Sequence, residues 1–189
     1  AIHATAVHPT RLWARDAEQV RRLRSTRRNA HYLPEAVLPP ALQVVGDLDA
    51  ALRFAAGGVV VIATPMAGLE PLLARLPATL EATVLWLCKG FQEGTGALGH
   101  EIARRVRPGA RVGVLSGPSF AIEVARGQPT ALVGASGDAA VRAAAVAAFH
   151  HASVRVYTSA DPVGVEVGGA VKNVLAIATG IADGMGLGL

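Results

Sequence analysis

The chain has 189 residues, of which 51% are hydrophobic and 17% are charged. This composition excludes an intrinsically disordered protein, because it supplies ample apolar surface for a packed core. The length suits one domain, or one domain with the start of a second. The net charge is +4, so a nucleic-acid partner has to be considered, and the single cysteine, Cys88, excludes an internal disulfide.

The positive charge is local rather than spread over the chain. Residues 1–30 hold seven arginines against Asp16 and Glu18, and regular interleaving of basic with aromatic residues is lacking, so we expect no nucleic-acid partner. Of the 18 basic residues, 16 are arginine and two are lysine, Lys89 and Lys172. Lysine can exchange a proton where arginine cannot, so both are candidates for chemistry.

Short apolar runs alternate with alanine-rich helical patterns along the first 160 residues. The β-branched run at 59–63 is typical of a strand buried on both faces. The pattern predicts strands at 10–14, 59–63, 83–88, 112–116, 130–133 and 153–157, helices at 17–28, 48–56, 67–75, 98–106, 121–126 and 139–149, and a loop at 29–40. This alternation predicts an α/β fold with a doubly wound, Rossmann-type, mostly parallel sheet.

The pattern changes at about Asp161. Residues 161–189 lack a strand signal and predict one long helix that carries several glycines, so we place a domain boundary between 1–160 and 161–189. Both ends of the chain resemble interrupted elements, and we expect a first strand and most of a second, helical domain to be missing. A secretory signal and an uncharged apolar run of about 18 residues are also missing, so we expect a cytoplasmic protein without a membrane partner.

Two predicted strands end in segments suited to ligand binding. The strand at 83–88 delivers Lys89 to the carboxyl edge of the sheet, where open α/β folds bind ligands. The strand at 112–116 ends in Gly117-Pro118-Ser119 and opens a helix whose free N–H groups suit an anion. A solvated lysine and an ordinary helix start explain the same two patterns.

Two further positions carry candidate chemistry. Lys172 lies in a largely apolar helix without an acidic residue three or four positions away, and a lysine in such surroundings can exchange a proton near neutral pH. Asn173 could orient a substrate. At the end of the first strand, Arg15 suits the 2′-phosphate of NADP, although the adjacent Asp16 leaves NAD open.

Other motifs are weaker. The segment 94–99 matches G-x-G-x-x-G, but five residues separate it from the preceding strand, so we interpret it as a turn. The six histidines lack the spacing of metal ligands, and we expect no metal site. A G-x-S-x-G motif, which would indicate a hydrolase, is absent.

Taken together, these segments resemble the bacterial NAD(P)-dependent sn-glycerol-3-phosphate dehydrogenases. The resemblance covers nearly the whole chain and is most specific around Ser119 and Lys172. The matching stretches are Trp13-Ala14-Arg15-Asp16, Arg28-Asn29-Ala30, Tyr32-Leu33-Pro34, Ala63-Thr64-Pro65, Lys89-Gly90-Phe91, Ser116-Gly117-Pro118-Ser119-Phe120-Ala121, Gly168-Gly169-Ala170-Val171-Lys172-Asn173 and 180–188.

The resemblance implies a Rossmann domain followed by an all-helical substrate domain. It also implies NAD(P)H-dependent reduction of dihydroxyacetone phosphate to sn-glycerol 3-phosphate for phospholipid synthesis, and it allows a homodimer. By position, Lys172 matches the proton acceptor and substrate-binding lysine, and Lys89 matches a lysine that touches cofactor and substrate. The remaining matches are substrate contacts at Gly117 and Ser119 and cofactor contacts at Arg15 and Ala121.

Two alternatives stay open. One is a related β-hydroxyacid or 6-phosphogluconate-type dehydrogenase, which shares a helix-borne Lys-Asn pair, and the other is an inactive, truncated interaction module. The family's glycine-rich turn precedes Ala1 and its substrate-phosphate arginine follows Leu189, so we expect little or no activity from these 189 residues alone.

Overall fold

The computed structural model describes residues 1–187, except for the side chain of Asn173. Residues 188 and 189, the last two of the expected 161–189 segment, include Gly188 of the matched stretch and lie outside the described part. Within residues 1–187, nine strands form: β1 (Arg11–Trp13), β2 (Arg28–Asn29), β3 (Leu33–Val37), β4 (Gln43–Val45), β5 (Val59–Ile62), β6 (Thr83–Trp86), β7 (Val112–Ser116), β8 (Thr130–Ala135) and β9 (Val154–Ser159).

In the described part of the chain, seven α-helices connect or follow these strands: α1 (Ala17–Thr26), α2 (Leu48–Phe54), α3 (Leu69–Arg75), α4 (Gly99–Val106), α5 (Ala121–Ala125), α6 (Ala139–Phe149) and α7 (Pro162–Gly184). Four of them begin where an aspartate side chain accepts hydrogen bonds from N–H groups of the first turn, which would otherwise lack partners. These caps are Asp16, Asp47, Asp138 and Asp161.

The main sheet has five strands in the order β5-β6-β7-β8-β9. Strands β5, β6 and β7 are parallel, and β8 and β9 are parallel to each other but run antiparallel to β7. Strand β1 pairs in parallel with β4 in a separate two-stranded sheet. The expected α/β class with a mostly parallel, Rossmann-type sheet is confirmed.

The interpretation of residues 29–40 as a loop was wrong. Strands β2 and β3 form an antiparallel hairpin there, and Pro34 is tolerated because the strand is largely exposed at an edge. Strand β4, Gln43–Val45, was also missed by the sequence analysis. Three residues are too few to show the alternation of a strand. The backbone of β4 is ordered by hydrogen bonds to β1, whose paired residues lie 32 positions earlier in the chain.

The core lies on both faces of the main sheet, as a doubly wound fold requires. Alternate residues of β6 point to opposite sides, so Val84 and Trp86 pack in a cluster with residues of α3 and α4, while Leu85 packs with Val141 and Ala145 of α6. Trp86 and Leu85 are 1% and 0% exposed. The sheet that carries the functional candidates is therefore firmly buried.

Helix α7 has two halves with different surroundings. Its first half packs across β7 and beside α4, whereas Val174, Leu175, Ile177 and Ile181 in its second half are exposed. By length and apolar composition alone, α7 is long enough to cross a membrane. Core helices of globular proteins pass the same test, so this property by itself does not indicate a membrane protein.

Candidate functional site

The carboxyl edge of the main sheet brings Lys89 to the turn that follows β7. Lys89 lies three residues after the end of β6, and its ammonium group donates a hydrogen bond to the carbonyl oxygen of Gly117, with 3.0 Å between Nζ and O. The adjacent Gly90 has a φ of +105°, a conformation that glycine adopts without strain. The two strand ends are thus joined by a charged side chain.

The turn after β7 depends on a glycine. Gly117 has a φ of +152°, and a Cβ atom there would lie 2.6 Å from the carbonyl oxygen of Ala131 on β8. The N–H of Ser119 donates to the carbonyl oxygen of Gly117 at 3.0 Å, which holds Ser119, half-buried, just before α5. The sequence therefore folds into a tight rim above the sheet.

Helix α7 crosses this rim at Gly169. A Cβ atom at Gly169 would lie 3.0 Å from Ser116 Oγ and 3.8 Å from Lys89 Cγ, so the absence of a side chain lets the helix approach both strand ends. Lys172 follows one turn later on the same helix. Partial desolvation lowers the pKa of Lys89, and the positive charge of Lys172 lowers it further. The two lysines are therefore electrostatically coupled.

The structure brings some of the candidate residues from the sequence together and leaves others apart. It brings Lys89, Gly117 and the helix that bears Lys172 to one rim. Ala121 is exposed at the first position of α5, and Arg15 is exposed just after β1, in the separate two-stranded sheet. The side chain of Asn173 lies outside the described residues, so its expected substrate contact has no structural description.

Sequence reasoning missed Glu166, a buried acid on α7. Its Oε1 accepts hydrogen bonds from Trp86 Nε1 and from the backbone N–H of His100, both at 3.0 Å, and its Oε2 accepts from His100 Nδ1 at 2.5 Å. Only 6% of Glu166 is exposed. A lone acid inside an apolar helical pattern was the available signal, because such a residue is buried only when it is paired.

Among residues 1–187, histidine, cysteine and acidic side chains form no group of three that could hold a metal ion. Two cavities of about 220 and 480 Å³ lie elsewhere on the protein, one beside Trp86 and His100 and the other beside Asp49 and Glu81. Lys89 lines neither of these cavities.

Two cations that follow strand ends, Lys89 at the rim and Arg15 beside the separate two-stranded sheet, suit an anionic dinucleotide. The guanidinium group of Arg15 is exposed just after the end of β1, and Lys89 places a second cation at the carboxyl edge of β6, where α/β folds of this type bind nucleotides. The fold and the site thus define a Rossmann-type, dinucleotide-binding α/β domain that continues into a helix bearing a lysine.

Comparison with known proteins gives the particular family. Residues 1–142 match the model of the NAD-dependent glycerol-3-phosphate dehydrogenase N-terminus, and residues 161–189 match that of the C-terminus of the same family. The chain belongs to the NAD-dependent glycerol-3-phosphate dehydrogenase family. Residues 143–160 separate the two matched segments.

Individual relatives agree with this assignment. The chain is 68% identical over 184 residues to the glycerol-3-phosphate dehydrogenase [NAD(P)+] of Methylibium petroleiphilum and 61% identical over 200 residues to that of Leptothrix cholodnii. The alignments cover 96% and 100% of this chain but 55% and 59% of those proteins. The chain therefore spans little more than half the length of these relatives.

A solved structure shows the same fold. The glycerol-3-phosphate dehydrogenase of Coxiella burnetii superposes with a TM-score of 0.86 at 33% identity, over 99% of this chain and 57% of that one. A UDP-D-ManNAc dehydrogenase from Pyrococcus horikoshii has a TM-score of 0.65 at 15% identity, which is a likeness of fold alone. The alternatives of a hydroxyacid dehydrogenase and an interaction module are not favoured.

Proposed function

We propose that this chain forms the cofactor-binding part, and the start of the substrate-binding part, of an enzyme that interconverts dihydroxyacetone phosphate and sn-glycerol 3-phosphate with NADP or NAD. The observation that carries the proposal is the meeting of Lys89, the Gly117 turn and the Lys172-bearing helix at one rim of the sheet. The family assignment supports the same activity.

Lys172 is the catalytic residue of this proposal. Reduction of the ketone forms a C–H bond at C2 and leaves an electron pair on the oxygen, and the Lys172 ammonium group donates the proton that this oxygen needs. In the reverse direction the neutral amine accepts the hydroxyl proton. A bound nicotinamide cofactor supplies or receives the hydride.

The other residues bind and orient. Lys89 is positioned to neutralise phosphate or cofactor oxygen atoms, because its charge lies at the rim and is already directed by the Gly117 carbonyl group. Gly117, Ser119 and Asn173 complete the proposed substrate contacts, and Arg15 and Ala121 the proposed cofactor contacts. The exposed guanidinium group of Arg15 favours NADP, because an arginine at this strand end accommodates the 2′-phosphate.

We further propose that residues 1–160 form the Rossmann domain and that residues 161–189 begin a helical substrate domain. The proposed setting is a cytoplasmic homodimer that supplies sn-glycerol 3-phosphate for glycerophospholipid synthesis. Nucleic acid and membrane are not among the proposed partners, because the positive charge is confined to one arginine-rich patch and the first half of α7 is packed on the sheet.

The test uses a chimera in which these 189 residues replace the matching part of the Methylibium petroleiphilum relative. We expect NADPH oxidation that depends on dihydroxyacetone phosphate, with Lys172→Met lowering kcat by about 10²- to 10⁴-fold. Arg111→Ala, an exposed arginine at the other edge of the sheet, is the control and should leave kcat unchanged. Turnover of hydroxyacids but not of dihydroxyacetone phosphate, or an active Lys172→Met variant, would refute the proposal.

A further inference from the structure

The buried carboxylate of Glu166 joins three elements of the fold. It receives hydrogen bonds from Trp86 at the end of β6 and from His100 at the start of α4, while its own backbone belongs to α7. An acid buried in an apolar core is costly unless donors surround it. Here both carboxylate oxygens have donors, so the cluster links the helix to the sheet by directional bonds.

The cluster leaves no room for a side chain at Gly99. A Cβ atom at Gly99 would lie 2.6 Å from Trp86 Nε1 and 2.7 Å from Glu166 Oε1, so a larger residue at 99 would displace one partner of the bond. The first turn of α4 and the side chain of Glu166 are therefore fitted to each other. Apolar packing without these bonds would let α7 slide or rotate on the sheet.

The same stretch of α7 carries the candidate site. Three residues turn an α-helix by about 300° and advance it by about 4.5 Å, so Glu166, Gly169 and Lys172 follow one another along α7, with Lys172 rotated by about 120° from Glu166 around the helix axis. Glu166 is fixed to Trp86, Gly169 lies against Ser116 and Lys89, and Lys172 follows. A displacement at Glu166 is thus transmitted directly to Lys172.

We propose that Glu166 is a positioning residue: by binding Trp86 and His100, it fixes the register of α7 on the sheet and so sets the place of Lys172 relative to Lys89. The importance of this arrangement for turnover rests on the proposed function. The arrangement itself can be tested without turnover, because Lys89 and Lys172 are the only two lysines of the chain.

The test measures how the acetylation rate of the Lys89 amine depends on pH, by mass spectrometry, in the 189-residue chain. In Glu166→Ala, we expect the pKa of Lys89 to rise toward that of a solvated lysine, because the covering helix and the charge of Lys172 withdraw. The sign is informative. Loss of a carboxylate charge alone would lower the pKa of a nearby lysine, so a rise reports movement of the helix.

Reference variants set the scale of the measurement. Lys172→Met removes the repelling charge and keeps Glu166 with its bonds to Trp86 and His100, so it should raise the pKa of Lys89 by the part that the charge contributes. Glu81→Gln, an exposed acid before β6, is the matched control and should leave the pKa unchanged. Trp86→Phe removes one donor to Glu166 and keeps an aromatic ring, and it replaces Glu166→Ala if that variant does not fold.

The results separate this proposal from the proposed function. The positioning role would be overturned if Glu166→Ala or Trp86→Phe folds and the pKa of Lys89 is unchanged. This holds whether or not the chimera is active. In an active chimera, we expect Glu166→Gln to lower kcat by about 10- to 100-fold with little change in the KM for NADPH. A chimera inactive with dihydroxyacetone phosphate would refute the proposed function and leave the acetylation result standing.

Discussion

The ammonium group of Lys89 and the carbonyl oxygen of Gly117 lie 3.0 Å apart and share a hydrogen bond. The bond connects the segment after β6 with the turn after β7, so it orders two neighbouring strand ends at once. It also occupies one donor of Lys89 and fixes the direction of its charge. The positive charge at this rim is therefore held in place before any ligand arrives.

The first prediction concerns this charge. Lys89→Met in the chimera should raise the KM for dihydroxyacetone phosphate by about 10- to 100-fold, because a hydrogen bond to a charged group contributes about 1.5–3 kcal/mol. Lys89→Arg keeps the charge with a different shape and should recover only part of the loss. Steady-state kinetics check both variants, and an unchanged KM in Lys89→Met would show that Lys89 does not contact the substrate.

The second prediction uses two adjacent glycines of α7. A Cβ atom at Gly169 would meet Ser116 Oγ at 3.0 Å, whereas one at Gly168 would meet nothing within 4 Å. Alanine stabilises an exposed helical position by about 1 kcal/mol relative to glycine. We therefore expect Gly168→Ala to raise the free energy of unfolding by about that amount and Gly169→Ala to gain less or to lose stability, as measured by urea denaturation.

Kinetics distinguish the same two variants. Gly169→Ala crowds Ser116 Oγ at the rim, so in the chimera it should lower kcat/KM, while Gly168→Ala should leave kcat/KM within about twofold of the unsubstituted chimera. Equal behaviour of the two variants in both measurements would mean that α7 does not approach the strand ends as closely as the structure shows.

The sequence predicted helices and strands well where the element was long enough for its hydrophobic pattern to repeat. Helix α6 has the predicted bounds because eleven residues of alanine-rich pattern follow an aspartate cap. Strand β4 and the hairpin of β2 and β3 escaped prediction because their segments are short and their order comes from pairing with distant residues.

The candidate site shows the same limit. Lys89 and Lys172 stood out by residue type in an arginine-rich chain. Glu166 is a lone acid in an apolar helical pattern, but its role stayed hidden because its partners Trp86 and His100 lie 80 and 66 residues away along the chain. Residue type and spacing thus reveal groups with chemical roles, whereas the partners that position them become visible only when the chain is folded.

The third prediction concerns the turn at Gly117. Gly117→Ala would place a Cβ atom 2.6 Å from the Ala131 carbonyl oxygen in a backbone conformation that L residues rarely adopt, and we expect it to lower the free energy of unfolding by about 1–3 kcal/mol. Gly137→Ala, where the space is open, is the control and should stay within about 0.5 kcal/mol. Equal denaturation midpoints for the two variants would contradict the geometry.

The fourth prediction is a pH dependence of stability. The ring of His151 stacks on that of His3, with centroids 3.6 Å apart, and among the described residues its Nε2 is buried without a hydrogen-bond partner. Burial lowers the pKa of His151, and the nearby His3 and His8 lower it further. The folded protein therefore resists protonation of this ring more than the unfolded chain does.

The sign of the effect follows from linkage. Above the unfolded histidine pKa of about 6.5 the ring is neutral in both states and stability is complete. As the pH falls through the lowered pKa of His151, the unfolded state binds the proton more readily and stability is lost. Urea denaturation should give a lower free energy of unfolding at about pH 5.5 than at about pH 7.5. We expect this difference to be smaller in His151→Gln and unchanged in His31→Gln, a control at an exposed histidine. A loss of the same size in His151→Gln would assign the effect to other groups.

The fifth prediction tests the choice between NADP and NAD. Arg15 follows β1 with an exposed side chain, where a guanidinium group would pair with the 2′-phosphate that distinguishes NADP from NAD. Arg15→Ala in the chimera should raise the KM for NADPH by about 10- to 100-fold and leave the KM for NADH nearly unchanged, because a charged hydrogen bond contributes about 1.5–3 kcal/mol. Arg22→Ala, an exposed arginine on α1, separates a specific contact from the general positive charge of residues 1–30. If Arg22→Ala raises the KM for NADPH as much as Arg15→Ala does, the preference for NADPH arises from the whole arginine patch. If neither variant changes the KM for NADPH, Arg15 is not a cofactor contact.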